Sequence, residues 1–173
     1  MNYSKGQVVV HPHHGPATIT AINTRNFKGE RHKYLKLKVT GTDLTVGVPL
    51  ERAEEAGLRA VLDAGEVREL FEVFVAEGEE EASNWSRRIK ANTDRFRSGD
   101  IKIIAGLVRD LTRREEEKGL SFGERSLLRD ALAPLVCEIG IVLSASEDDA
   151  TALVTSAILE GNIPELPELT LAS

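Results

Sequence analysis

The chain has 173 residues, of which 41% are hydrophobic and 29% charged, as is typical of a folded, water-soluble protein of one domain or two small ones. No apolar stretch approaches the ~18 residues of a membrane span, and the first residues show no apolar secretory segment. The single cysteine excludes an intramolecular disulfide framework. We therefore expect a cytoplasmic protein.

The net charge of −6 conceals a basic segment. Residues 83–114 carry nine Lys or Arg and three Asp or Glu, and they lie between two acidic segments. Because physiological salt screens charges beyond about 8 Å, a phosphate partner would respond to this segment more than to the distant acids. The other interpretation is a solvated helix face that pairs with Glu-rich neighbours.

The first 50 residues predict short antiparallel strands. Turn-forming Gly, Pro and Asp residues separate four runs rich in apolar and β-branched residues, at 7–10, 17–22, 33–39 and 44–48. Polar and apolar residues alternate along 33–39, which predicts one solvent-facing and one buried face. We expect a small, strongly bent sheet or partly open barrel with a free edge that can pair with a strand of another protein.

After Pro49 the apolar residues recur at helical spacing. The pattern predicts a first helix that carries Val61, Leu62, Leu70, Phe71, Phe74 and Val75. Four further helices are predicted to follow the capping residues Ser83 or Asn84, Asp100, Ser121 and Ser146. Gly119 and Gly161 are predicted to end helices, and Pro134 is expected to kink or split the fourth.

The sequence shows little that could support catalysis. His11, His13 and His14 cluster near a predicted turn, but no third ligand shows metal-site spacing, which favours polar packing over a metal site. The chain contains no phosphate-binding loop, dinucleotide fingerprint or H-E-x-x-H motif. We expect no cofactor, no bound metal and no enzymatic activity.

The only tryptophan, Trp85, lies in the first turn of the predicted basic helix, beside three cations. Guanidinium groups bind phosphates in bidentate geometry, and a flat side chain can wedge between bases where a duplex opens. However, Trp85, Ile89 and Phe96 share one helical face. The pattern alone therefore favours a core position for Trp85 and leaves a nucleic-acid contact as the alternative.

Two sets of motifs resemble the CarD/CdnL family of bacterial transcription regulators. The resemblance to its N-terminal module is carried by Val10-His11-Pro12-His13-His14-Gly15, Lys33-Tyr34-Leu35, Asp43-Leu44-Thr45-Val46 and Val48-Pro49. The resemblance to its helical domain is carried by Asn84-Trp85-Ser86-Arg87-Arg88 with Lys90, Ser98-Gly99-Asp100, Val108-Arg109-Asp110-Leu111 and Gly119-Leu120-Ser121. The match runs in order from about residue 5 to about residue 143.

The resemblance implies an α+β chain in which a small Tudor-like antiparallel β module is followed by an all-α helical bundle. The expected division is a polymerase-interaction domain over 1–57, a helical DNA-binding domain over 58–162 and a disordered tail over 163–173. Such a protein binds the RNA polymerase β subunit and contacts promoter DNA at the upstream edge of the transcription bubble, which stabilises the open promoter complex. It would be nucleoid-associated through the polymerase.

The family's functional positions can be carried onto this chain. The resemblance implies a minor-groove wedge and its neighbouring DNA contacts at Trp85, Arg87, Arg88, Lys90 and Arg125. It implies polymerase contacts at Arg25 and Phe27, and relatives can carry a polymerase-gripping arginine where this chain has Gly47.

Three alternatives remain at this point. The chain could bind DNA without polymerase, or act as a protein–protein adaptor whose basic helix never meets DNA. It could also be a relative of the transcription-repair coupling factor that lacks the nucleotide-binding motif, and with it the translocase activity.

Overall fold

A computed structural model describes residues 2–27 and 29–166. The chain forms two compact units, Met1–Val61 and Leu62–Ser173. Among these described residues, the first unit contains five β-strands and the second five α-helices, so the predicted α+β class, with a Tudor-like module ahead of a helical region, is confirmed.

The N-terminal unit is one antiparallel sheet with the strand order β4-β3-β2-β1-β5. Its strands are β1 (Val8–His11), β2 (Gly15–Phe27), β3 (Glu30–Val39), β4 (Thr45–Pro49) and β5 (Arg59–Ala60). A 3-10 turn, Leu50–Arg52, follows β4. The register between β2 and β3 shifts between Ile19 and Ala21, and a bulge of this kind bends a strand and increases its twist.

The predicted alternation along β3 is confirmed. Leu35 and Leu37 are fully buried and Val39 nearly so, whereas Lys36 and Lys38 are exposed. The buried face packs against the other apolar residues of this unit, which are Val9, Ala17, Ile19, Val48, Ala53 and Leu58. The opposite face of β3 carries the exposed Lys36 and Lys38.

The sheet is larger than the sequence pattern indicated. Strand β2 continues to Phe27 and β3 starts at Glu30, so these two strands form a longer hairpin than predicted. The short strand β5 was not predicted, because two exposed residues that pair with Val9 and Val10 have no periodicity of their own.

The C-terminal unit contains helices α1 (Ala64–Val75), α2 (Trp85–Arg97), α3 (Ile101–Lys118), α4 (Phe122–Leu143) and α5 (Glu147–Glu160). Every predicted capping site is confirmed, with Asn84 rather than Ser83 at the start of α2. The core is aliphatic apart from Phe71 and Phe74, whose rings meet edge-on with centroids 5.6 Å apart. Within the described residues, no helix is sufficiently long and apolar to cross a bilayer.

Two helix predictions need correction. Val61 and Leu62 are not helical, because Asp63 caps α1 through a capping box with Glu66 and the helix begins only at Ala64. Of the two outcomes expected at Pro134, a split of α4 is wrong, because the helix runs unbroken from Phe122 to Leu143, whereas a kink stays a prediction. Proline has no backbone N–H, so the carbonyl of Asp130 lacks its usual hydrogen-bond donor in α4. Both residues are exposed, so water can donate to that carbonyl instead.

The predicted tail begins within the described residues and ends outside them. Residues 163–166 have no regular secondary structure, yet Leu166 packs against the helical core. Residues 167–173 of the predicted disordered tail lie outside the described residues.

Candidate functional site

The start of α2 presents the tryptophan. Asn84 is the N-cap, and its side-chain oxygen accepts hydrogen bonds from the backbone N–H groups of Ser86, at 2.9 Å, and Arg87, at 3.3 Å. This cap satisfies two otherwise unpaired donors and fixes the first turn of the helix. The side chain of Trp85 therefore projects from a defined helical position.

Trp85 is not a core residue, so the interpretation that its pattern favoured is wrong. The residue is 52% exposed and lies outside the helical core cluster, whereas Phe96 packs against that cluster. Its indole Nε1–H donates to Ser121 Oγ at 3.2 Å, across to the N-cap of α4. The indole is held at one edge and open to solvent over much of its surface.

Arg88 is positioned differently from the expected phosphate contact. Its side chain is only 9% exposed, and its Nε donates to Glu124 Oε1 at 2.7 Å. Its Nη1 donates to the carbonyl of Ala82 at 3.4 Å. Because a buried carboxylate and a half-buried carbonyl hold the guanidinium, Arg88 is not free to bind a phosphate as expected and instead positions α2 against α4.

Glu124 joins the two helices. Its carboxylate accepts the Ser121 backbone N–H at 2.9 Å and the Ser121 hydroxyl at 2.7 Å, in addition to Arg88. Burial alone would raise the pKa of Glu124, but the hydrogen bonds from Arg88 and Ser121 and the nearby guanidinium charge lower it to about 2. The carboxylate is therefore ionised at neutral pH, and the capping box of α4 holds both Arg88 and, through Ser121, Trp85.

The other predicted cations of this region are exposed. Arg87 and Lys90 lie one turn apart on α2, and neither forms an ion pair with any residue that the structure describes. Arg125 is 62% exposed and pairs with Glu115 at 3.1 Å. Such an exposed pair contributes little stability, so its guanidinium can exchange the carboxylate for a phosphate at small cost.

A second candidate site lies on the solvent face of the sheet. Arg25 and Gly47, two of the predicted polymerase contacts, line one groove of about 410 Å³ together with Asn23, Tyr34, Lys36 and Thr45. The Arg25 guanidinium carbon lies 5.7 Å from the centroid of the Tyr34 ring, within the range of a cation–π contact. The side chain of Phe27, the third predicted contact, lies outside the described residues.

The groove has open space next to Gly47, where a larger side chain would fit. It lies on β4, at one edge of the sheet, opposite Lys36 on β3. A Cβ built at Gly47 meets nothing within 4 Å, so no neighbour requires glycine there. The groove is therefore open where relatives can carry an arginine.

The histidine cluster packs around the turn between β1 and β2. The ring of His11 lies 4.7 Å from that of His14 and 5.9 Å from that of His13, and His11 Nδ1 accepts the His13 backbone N–H at 3.2 Å. Burial, and then the neighbouring His14 and His13, lower the pKa of His11. Among the described residues, no group of three His, Cys, Asp or Glu side chains could hold a metal ion.

Sequence reasoning missed the partners that position these side chains. The capping box of Ser121 and Glu124 was predicted, but not its contacts with α2. The sequence does contain a matching spacing. Trp85 and Arg88 are three residues apart on α2, and their partners Ser121 and Glu124 are three residues apart at the start of α4, so both hydrogen bonds span 36 residues. No local pattern indicated that Tyr34 would lie beneath Arg25.

The first unit is thus a Tudor-like antiparallel sheet, and the second is a helical domain that carries an exposed tryptophan held by a hydrogen bond. The family description "CarD, C-terminal domain" matches residues 69–155, half of the chain, and "CarD-like/TRCF RID domain" matches residues 3–62. This chain belongs to the CarD family of transcription factors.

A curated relative supports this assignment. The Bacillus subtilis (strain 168) protein named "Putative transcription factor YdeB" is 29% identical over 142 residues, which cover 82% of this chain and 93% of that protein. Membership of the family supports a role in transcription regulation, and a CarD-like/TRCF RID domain implies interaction with RNA polymerase in general.

Proposed function

We propose that this protein binds the β subunit of bacterial RNA polymerase and stabilises the open promoter complex through its helical domain. The N-terminal unit supplies the polymerase contact, through the groove that contains Arg25 and Gly47. The helical unit supplies the DNA contact at the upstream edge of the bubble, through Trp85 with Arg87, Lys90 and Arg125. The observation that carries the proposal is the half-exposed Trp85, which is hydrogen-bonded to Ser121 and is followed on α2 by the exposed cations Arg87 and Lys90.

The chemistry of this surface suits an opening duplex. An indole held by its N–H presents a flat apolar face, and such a side chain can insert where bases unstack. The exposed Arg87 and Lys90 can each neutralise a backbone phosphate, while Arg125 can leave Glu115 to bind a third. The acidic segments on either side of the basic one reduce affinity for free DNA, so that polymerase supplies the local concentration.

The energetic effect is sufficient for regulation. A ligand that binds only the open complex shifts the opening equilibrium by mass action. Stacking or wedging of one aromatic residue contributes about 1–3 kcal/mol. Since about 1.4 kcal/mol corresponds to a tenfold change, one tryptophan can alter the open population by roughly that factor.

The test of the DNA contact is the lifetime of the melted region. Promoter footprints with polymerase are followed with and without the full chain, and Trp85→Ala is compared with Leu159→Ala, which truncates another exposed apolar side chain, on α5. Trp85→Ala is expected to shorten the lifetime about tenfold with polymerase binding unchanged. A lifetime equal to that of the Leu159 variant would contradict the DNA contact.

The test of the polymerase contact is capture of the β subunit. Arg25→Glu reverses a charge on the proposed groove, and Arg52→Glu makes the same change at an exposed position outside that groove. Arg25→Glu is expected to weaken capture, whereas Arg52→Glu leaves it unchanged. Equal capture by both variants removes the groove as the interface, and strong binding to duplex DNA without polymerase would favour a polymerase-independent DNA-binding protein.

A further inference from the structure

Helix α2 is attached to the helical unit by polar side chains. Each of the other four helices buries four apolar side chains, which form the core of the unit. In α2 the buried residues are Arg88 and Asn92, and both are polar. Within the described residues, the helical core cluster contains no buried residue of α2, and Phe96 packs against it only as a partly buried residue. Apolar burial, which supplies most of the stability of a packed helix, therefore contributes less to α2 than to its neighbours.

The polar residues that dock α2 lie on one face of the helix. Arg88, Asn92 and Arg95 follow one another at i, i+4 and i+7, the spacing that places residues on the same side of a helix. Arg87 and Lys90, the cations of the proposed DNA contact, are exposed. The face that docks α2 is thus separate from the cations that are proposed to bind phosphates.

A second buried ion pair holds the far end of α2. Arg95 Nη1 donates to Asp110 Oδ2 at 2.9 Å, and the two side chains are only 18% and 7% exposed. The other carboxylate oxygen of Asp110 accepts from Arg109 Nε at 2.8 Å, and Arg109 Nη1 donates to the carbonyl of Val73 on α1. Asp110 therefore keeps a counterion from its own helix, α3, when Arg95 is removed.

The fold leaves room for this second ion pair. Gly106 lies within α3, and a Cβ built there would lie only 3.0 Å from Arg95 Nη2. Glycine is unfavourable inside a helix, so the close approach of the guanidinium gives a physical reason for its presence. The pair of Arg88 with Glu124, at 2.7 Å, lies about two turns earlier on α2. One ion pair therefore holds α2 near each end.

The segments on both sides of α2 are open to solvent. Residues 77–81 before the helix are exposed and have no regular secondary structure, and the two residues after it, 98–99, are also exposed. An element with little buried apolar surface and exposed flanking segments opens at a lower free energy than the core of the same protein. Loss of either ion pair leaves α2 attached to the bundle at one end only, so we expect the helix to open as a whole.

We propose that α2 is a separately opening unit of the helical bundle, held in place by its two buried ion pairs, and that its opening withdraws the proposed DNA-contacting surface. The second part rests on the proposed function. Arg95 is then a positioning residue, because it binds Asp110 and holds the helix that carries Trp85. Its loss makes the opening of α2 easier, while the contact of Asp110 with Arg109 remains in the rest of the bundle.

The first experiment measures amide hydrogen exchange of the full-length chain by NMR, at urea concentrations below the unfolding midpoint. A local fluctuation exposes little surface, so its opening free energy hardly depends on urea, whereas global unfolding shows the full dependence. The amides of residues 89–97 are expected to share one opening free energy and an intermediate slope, smaller than that of the core amides of α4. Slopes near zero, or slopes equal to that of α4, overturn the inference.

The second experiment compares Arg95→Gln with Arg97→Gln, the same change at an exposed position of the same helix. Arg95→Gln is expected to speed exchange at least about tenfold throughout residues 89–97, because it removes a hydrogen bond between charged groups, and to leave the amides of α4 unchanged. Arg97→Gln is expected to change neither. Acceleration confined to the last turn of α2, equal in α2 and α4, or equal in the two variants overturns the inference. If Arg95→Gln fails to fold, the urea series on the unmodified chain still decides.

Open promoter complexes separate this inference from the proposed function. In these complexes, exchange of α2 peptides followed by mass spectrometry is expected to be at least about tenfold slower than in the free chain, because DNA would bind only the docked helix. If α2 opens separately in the free chain but gains no protection in the complex, the DNA contact is refuted and the separately opening helix stands. If α2 opens only together with the whole bundle, the inference is refuted and the proposed function is unaffected.

Discussion

Glu124→Gln tests whether the ion pair between α2 and α4 holds the site together. The substitution keeps the shape of the side chain but removes its charge, so the buried Arg88 loses its counterion. The Arg88 side chain is 9% exposed and Glu124 only 1%, so solvent cannot replace the lost partner. Glutamine also places N–H donors where the carboxylate accepted bonds from Arg88 and Ser121.

Two arguments give the same value for the stability that the ion pair between Arg88 and Glu124 contributes. The pKa of Glu124 falls from 4.5 to about 2 in the folded chain. At roughly 1.36 kcal/mol per pKa unit, this shift corresponds to about 3 kcal/mol of stability at neutral pH. Removal of one partner from a buried ion pair costs about 3–5 kcal/mol. We therefore expect Glu124→Gln to lower the free energy of unfolding by about 3 kcal/mol at pH 7.

The assay is urea unfolding between pH 2 and pH 7, followed by the fluorescence of the single tryptophan, which belongs to the same network. Because the folded pKa is depressed, the stabilisation is present above pH 4.5 and is lost as the pH falls towards 2. The difference between the unmodified chain and Glu124→Gln is therefore expected to shrink over this interval.

The matched control is Glu116→Gln, the same change at an exposed position of α3, which is expected to alter stability by less than about 0.5 kcal/mol. A difference for Glu124→Gln that stays constant from pH 7 to pH 2 would show that packing, and not charge, accounts for the loss. A difference below about 1 kcal/mol at pH 7 would refute the role of the ion pair itself.

Three further substitutions test other parts of the structure. Gly47→Arg, which enters open space on the sheet groove, is expected to tighten capture of the polymerase β subunit severalfold; weaker capture in a titration would contradict the proposed interface. Pro134→Ala is expected to raise the free energy of unfolding by about 1–3 kcal/mol, because it restores a donor inside an unbroken helix; calorimetry that shows destabilisation would refute this reasoning. Asn84→Ala removes the cap of α2 and is expected to lower stability by about 1 kcal/mol and to weaken protection of the first-turn amides in hydrogen exchange, whereas unaltered protection would show that the cap is dispensable.

The fold was predictable where its determinants are local. A cap requires one side chain and the backbone within three residues, and therefore Asp100, Ser121 and Ser146 could be assigned from the sequence. The alternation along β3 was equally direct. Strand β5 could not be assigned, because its two residues are held only by pairing with β1, and the start of α1 was misplaced because apolar Val61 and Leu62 precede the cap.

The candidate site was predictable in composition but not in arrangement. Residue types and the family resemblance were sufficient to single out Trp85, Arg87 and Lys90, which the structure leaves exposed. They did not distinguish Arg88 from these, because its burial depends on a carboxylate 36 residues away.

The hydrogen bond between Trp85 and Ser121 restrains the indole before its target arrives. A side chain that is already restrained in the free protein loses less rotational freedom when its target arrives, so more of the contact energy remains as affinity. The acceptor Ser121 is at the start of α4, whereas Trp85 is at the start of α2. Fraying of either helix start would therefore break the hydrogen bond and release the indole. Preorganisation of this surface is thus a property of the helix junction and not of the tryptophan alone.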